Sequence, residues 1–272
     1  MKSSYSKDFV QRLESINPHQ HITTTFQDFC HIAALALAQP FYRSEQLEKE
    51  YMHIVQRYEQ KQAHGFAELL STVILALEEN PEQDFLGEIY ALNGMSRSHK
   101  GQFFTPYPIA KMMAQISLSE REAIITQRGY IRVCEPSCGS GVMIIGLRQA
   151  MLENNFNPSA QMLVTCIDID ALCCNMTYIQ LSLLGIAANI VHGDALSLET
   201  HRSLFTPTYF LNDWERRCQS VELHERVLEI IRSLVLEKPL GVNVVLEANT
   251  TACETNAPPR VRKGQEQQLM LW

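Results

Sequence analysis

The sequence predicts an α/β protein in which a helical amino-terminal domain precedes a parallel βαβαβ unit. Three features carry this. Apolar residues recur at helical spacing between residues 26 and 90, after Gly101 the pattern turns to short β-branched runs alternating with helical ones, and glycines or acids follow each short run. The boundaries read as a helical domain over 1–99, an α/β domain over 100–250 and a polar tail over 251–272.

In the first domain Phe26, Phe29, Cys30 and Ala33 form one helical stripe, and Tyr51, Ile54, Val55 and Tyr58 a second. Leu69, Leu70, Val73, Ile74 and Leu77 form a third, and Phe85, Leu86, Ile89 and Tyr90 a fourth. The pairs Gln39-Pro40 and Asn80-Pro81 predict helix ends, because proline pushes the residue before it out of the α region. His19, His21, His31, His53 and His64 show no metal-like clustering and read as surface or core residues. In the second domain 131–134, 162–167 and 188–192 read as strands, and 142–154 and 172–184 as helices. That alternation implies parallel pairing with right-handed crossovers, and ligands of such sheets sit at the strand carboxyl ends. Residues 212–236 read as a helix and 242–247 as a strand, whereas 196–205, with Glu199, His201 and Arg202, does not read as a buried parallel strand, so the fourth strand is expected to be missing or very short.

Composition narrows the classes. With 46% hydrophobic and 19% charged residues among 272, the chain is neither disordered nor fibrous. A net charge of −7 and a pI of about 5.7 mean that a nucleic-acid partner has to meet a local basic patch. Apolar runs such as 32–38 fall far short of the roughly 20 residues that span a bilayer, so no membrane contact is expected. The first ten residues lack the apolar stretch of a secretion signal, which points to a reducing cytoplasm. Eight cysteines then read as thiols, and with no CxxC pair among them no metal is expected.

The strand ends carry the chemistry. After the first strand stands Glu135-Pro136-Ser137-Cys138-Gly139-Ser140-Gly141, where two glycines let the backbone adopt positive φ and approach a ligand. Turns also use glycine without a ligand, and the absence of GxGxxG and of Gly-Lys-Ser/Thr excludes a P-loop. The second end, Ile167-Asp168-Ile169-Asp170, places an acid where ribose hydroxyls would donate to it, with Ile169 beside it to cover an adenine face. The third, His192-Gly193-Asp194-Ala195, offers an acceptor for an exocyclic amino group. Taken singly, Asp168 or Asp194 reads more readily as a helix cap than as a ligand. Together the three ends describe a pocket for an adenosine-bearing cofactor.

At these residues the chain resembles adenine-specific DNA methyltransferases, in particular the modification subunits of type I restriction-modification systems. Glu135 to Gly141 is similar to that family's first motif, and Gly101-Gln102-Phe103-Phe104-Thr105-Pro106 to its companion cofactor motif. The resemblance, strongest over 83–196, implies a Rossmann-like methyltransferase fold that binds S-adenosylmethionine. By position it implies Phe103, Thr105 and Pro106 at the methionine end, with Glu135, Pro136, Cys138, Gly139 and Gly141 around the amino-acid moiety. It further implies Asp168 on the ribose, Ile169 on the adenine, and Asp194 with Ala195 at the adenine amino group.

The family's Asn/Asp-Pro-Pro-Tyr/Phe loop, which binds the target amino group and stacks on a flipped base, is not present in this sequence. The nearest substitute, Thr206-Pro207-Thr208-Tyr209, keeps one proline and the aromatic ring. It makes Thr206, Pro207 and Tyr209 the candidate catalytic residues, with a hydroxyl as a weaker acceptor. At the carboxyl end Gln268, Leu269, Leu271 and Trp272 resemble the short peptides that dock on the bacterial sliding clamp, although a frayed terminus accounts for them as well. The expectation is therefore a DNA adenine N6 methyltransferase, of weakened activity and with DNA, a specificity subunit and the clamp as partners. The alternative is a catalytically silent relative acting as a DNA-associated regulatory module.

Overall fold

The computed structural model describes residues 4–95, 104–236 and 269–270. Five helices come first: α1 (Ser4–Ile16), α2 (Ile22–Tyr42), α3 (Glu45–Val55), α4 (Gln60–Glu79) and α5 (Phe85–Leu92). Their apolar stripes meet around Phe9, whose ring stands edge-on to Phe29 at 5.2 Å and to Phe85 at 5.8 Å. The two prolines behave differently. Asn80 caps α4 in an extended conformation just before Pro81, as expected. Pro40 instead lies inside α2, which runs two residues further and closes on Arg43 in the left-handed region (φ 47°). A proline this close to a helix end removes only one late hydrogen bond, so the helix ends later than the Gln39-Pro40 pair predicts.

The second half follows as α6 (Tyr107–Ser119), α7 (Glu122–Arg128), β1 (Ile131–Glu135), α8 (Val142–Glu153), α9 (Pro158–Gln161), β2 (Met162–Asp168), α10 (Ala171–Leu183), β3 (Ala187–Asp194), β4 (Glu199–Phe205), α11 (Pro207–Leu211), α12 (Trp214–Leu236) and β5 (Leu269–Met270). The sheet order is β4-β3-β2-β1-β5. β1, β2 and β3 are parallel, with Glu135 opposite Cys166 and Asp168 opposite His192. These strands and the helices between them match the sequence expectation to within two residues.

β4 is where the topology turns. It pairs antiparallel with β3, running back from Glu199 opposite Asp194 to Phe205 opposite Asn189. It forms a half-exposed antiparallel edge rather than a buried parallel strand, and its seven residues correct the expectation of a missing or very short fourth strand. On the opposite side β1 pairs, among the described residues, with the backbone of Leu269 and Met270. The strand expected at 242–247 lies outside the described residues.

One continuous core joins the two halves, running from Phe9 and Phe29 through Ala110 and Ile145 to Ile179 and Ile190. At its centre α6 crosses α8 so closely that a β-carbon on Gly146 would stand 2.9 Å from the carbonyl carbon of Ala110. Among the described residues no helix is long and apolar enough to cross a membrane, and no three His, Cys, Asp or Glu side chains group as a metal site.

Candidate functional site

The carboxyl ends of β1, β2 and β3 lie side by side and bring the glycine loop and the acids together. Gly139 (φ 55°) and Gly141 (φ 93°) are both left-handed, a conformation that any side chain would strain. The loop is tied on several sides. Cys138 N–H donates to Ile167 C=O at 2.9 Å, Gly139 N–H donates to Asp168 Oδ2 at 2.8 Å, and Thr177 Oγ1 donates to Gly139 C=O at 2.9 Å. The Cys138 side chain is buried. Pro136 is half-buried beside it.

Glu135 ends β1 and is 3% exposed. Its Oε1 accepts from Ser137 N–H at 3.3 Å, while Oε2 is buried with no hydrogen-bond partner among the described residues. Burial pushes its carboxyl up to about 8, the Ser137 N–H pulls it down, and the charge of Asp168 raises it further. An orphaned carboxylate oxygen here fits a cationic group of a ligand.

Asp168 accepts the Gly139 N–H and, through Oδ1 at 2.9 Å, the Asp170 N–H. Burial raises its pKa against those two bonds. Each oxygen keeps a further lone pair for a ligand hydroxyl. Ile169, 69% exposed, presents an uncovered apolar face next to it. Asp194 Oδ1 caps the turn after β3 by accepting from Leu196 N–H at 2.8 Å and Ser197 N–H at 3.4 Å, and these bonds lower its pKa. Ala195 packs against Cys134, Ile167 and Val191.

Of the companion motif Phe103 lies outside the described residues. Thr105 is half-buried and Pro106 caps α6. Phe104, which sequence reasoning passed over, lies against the glycine loop, 3.4 Å from where a β-carbon on Gly139 would stand, and its ring meets Tyr90 edge-on at 5.7 Å. The Phe-Phe pair in the string was its only trace.

The structure does not bring the candidate catalytic tetrapeptide to this place. Because β4 runs antiparallel, Thr206 follows it to the amino-terminal end of β3, at the opposite end of the sheet from Glu135, Asp168 and Asp194. Thr206 is fully buried, and its hydroxyl donates to Ile186 C=O at 2.6 Å and accepts from Ala188 N–H at 2.9 Å. Pro207 starts α11, and Tyr209 stacks on Phe205 at 4.1 Å. These contacts lie within the fold: the hydroxyl's one proton is spent on Ile186 C=O, and its remaining lone pair is buried with the side chain.

Of the clamp-like peptide, Gln268, Leu271 and Trp272 lie outside the described residues, and Leu269 belongs to β5. Seven of the eight cysteines are described, and all seven are buried.

The sequence model of the N-6 DNA methylase family matches residues 81–216, half of the chain, and the chain belongs to that family. Its members methylate DNA at N6 of adenine with S-adenosylmethionine. No curated protein and no solved structure matches the chain. The matched residues begin at Pro81, just before α5, and include every strand end described above.

Proposed function

We propose that this chain binds S-adenosylmethionine at the carboxyl ends of β1, β2 and β3 and methylates adenine N6 in DNA, in the manner of type I modification subunits. The observation that carries the reading is Glu135: a buried carboxylate with one unpartnered oxygen beside two left-handed glycines. S-adenosylmethionine carries an ammonium and a sulfonium, and an acidic pocket of Glu135, Asp168 and Asp194 suits both charges. When bound, this cofactor supplies an electrophilic methyl group.

In this reading Glu135 holds the ammonium, with Pro136, Cys138, Gly139 and Gly141 approaching through backbone. Asp168 accepts from the ribose hydroxyls, Ile169 covers the adenine ring, Asp194 and Ala195 border its amino group, and Phe103, Thr105 and Pro106 close the methionine end. With the Asn/Asp-Pro-Pro-Tyr/Phe string missing and Thr206 buried at the far end of the sheet, methyl transfer is expected to be weakened unless a partner supplies the acceptor. A specificity subunit is proposed as the element that selects the DNA sequence.

Calorimetry with S-adenosylmethionine tests the pocket, and Asp168→Ala is expected to weaken binding about tenfold or more, the loss of paired charge-assisted hydrogen bonds. Unchanged affinity in that variant would refute the pocket. Transfer of tritiated methyl groups to DNA tests the reaction, and cofactor binding without any transfer would replace this reading by the silent, DNA-associated one.

A further inference from the structure

The glycine loop is held from behind by a buried polar network that the reading above does not use. Asp84, 2% exposed, precedes α5 as its cap. Its Oδ1 accepts from Gly87 N–H at 3.0 Å and from Gln180 Nε2 at 2.8 Å, and its Oδ2 accepts from the hydroxyl of Ser140. Gln180, fully buried on α10, spends its second amide hydrogen on Ser140 C=O at 2.9 Å and accepts from Leu86 N–H at 3.1 Å through Oε1. Ser140, also fully buried, is the residue between Gly139 and Gly141.

Three segments far apart in sequence thus converge on one peptide unit. The fit leaves no slack: a β-carbon on Gly87 would stand 2.1 Å from Asp84 Oδ2 and 2.4 Å from Ser140 Oγ. A buried carboxylate that accepts three donors is costly to desolvate, and a helix cap alone needs only one of those bonds. Fully satisfied buried networks of this kind fix one backbone arrangement among alternatives. Here the arrangement fixed is the pair of left-handed glycines that border the pocket. A second tie runs the same way, from α5 through Tyr90 to Phe104 and on to the face of Gly139.

We propose that Asp84 is a positioning residue for the cofactor: acting through Ser140 and Gln180, it holds the glycine loop in its binding shape, so that the helical domain sets cofactor affinity. This rests on the cofactor reading given above, and two measurements on the full chain keep the two ideas apart. In calorimetry with S-adenosylmethionine, Asp84→Ala is expected to weaken binding about tenfold, within the range that network residues without ligand contact reach. Asp84→Asn still accepts from Gly87 and Gln180 and can donate to Ser140, so it is expected to restore most of the affinity.

Leu69→Ala, a cavity in the helical core away from the loop, lowers the melting temperature and is expected to leave affinity unchanged. In the cofactor-free protein, hydrogen exchange at the Cys138, Gly139 and Gly141 amides is expected to rise in Asp84→Ala and not in Leu69→Ala. Ser140→Ala removes one hydroxyl and supplies both readouts if Asp84→Ala does not fold. Equal affinity and equal loop exchange in the Asp84 or Ser140 variant and the parent would overturn the proposal. A parent chain that binds no cofactor overturns the cofactor reading, while the exchange measurement still decides whether Asp84 orders the loop.

Discussion

The largest pH dependence among the three strand-end acids comes from Glu135. Glu135 has an ordinary pKa of 4.5, which burial raises to about 8 in the fold. The folded chain therefore holds a proton that the unfolded chain releases between those values. Its contribution to stability is complete below about 4.5 and is lost as pH rises through about 8, so stability falls with pH across this window. The melting temperature of the cofactor-free protein is expected to decline between pH 5 and 8.5, and Glu135→Gln is expected to flatten that decline. Binding of an ammonium reverses the preference, because the ionised carboxylate becomes the paired form. Calorimetry at pH 7 in buffers of different ionisation enthalpy is expected to show release of about one proton per cofactor, absent in Glu135→Gln. A proton count of zero in the parent would remove Glu135 from the ammonium site.

At the scale of elements, the direction of β4 decides what Thr206 does. A parallel fourth strand would carry the residues after it to the ligand end of the sheet, and the antiparallel β4 carries them to the other. Thr206→Val deletes a donor to Ile186 C=O and an acceptor for Ala188 N–H at a buried position, a loss of about 1–3 kcal/mol. Thermal unfolding is expected to report that loss while affinity for S-adenosylmethionine stays within twofold. A variant with normal stability and abolished methyl transfer would return Thr206 to the chemistry. The same elements show what was legible beforehand. β1, β2 and β3 could be read because their buried apolar runs end abruptly at Glu135, Asp168 and Asp194, where glycines and acids break the pattern. β4 is half-solvated, and Thr200, Arg202 and Leu204 alternate with His201 and Ser203 too weakly to announce a strand. Asp84, Ser140 and Gln180 left no trace, since a hydrogen bond between residues 96 positions apart has no period in the sequence. Pro40 misled because the preference it invokes, that the residue before proline leaves the α region, is a bias that α2 overrides at Gln39 in its last turn.

At the scale of the whole molecule, charge and sheet edges govern how the chain meets partners. A net charge of −7 supplies no general attraction to DNA, so a tethering partner would raise the local concentration that electrostatics does not. The residues resembling a clamp-docking peptide include Leu269, yet Leu269 and Met270 pair with Val133 and Cys134 at the edge of β1. One backbone cannot extend into a clamp groove and add to this sheet at once, so the two uses compete. Among the described residues the pairing covers two positions, and a backbone hydrogen bond is worth about 1 kcal/mol. A synthetic peptide of residues 261–272 is therefore expected to bind a bacterial sliding clamp several-fold to about tenfold more tightly than the full chain does. A chain ending at residue 263 is expected not to bind the clamp at all. Equal affinities of peptide and chain would mean that the β1 edge does not restrain the tail, and failure of the peptide to bind at high micromolar concentration would remove the clamp as a partner.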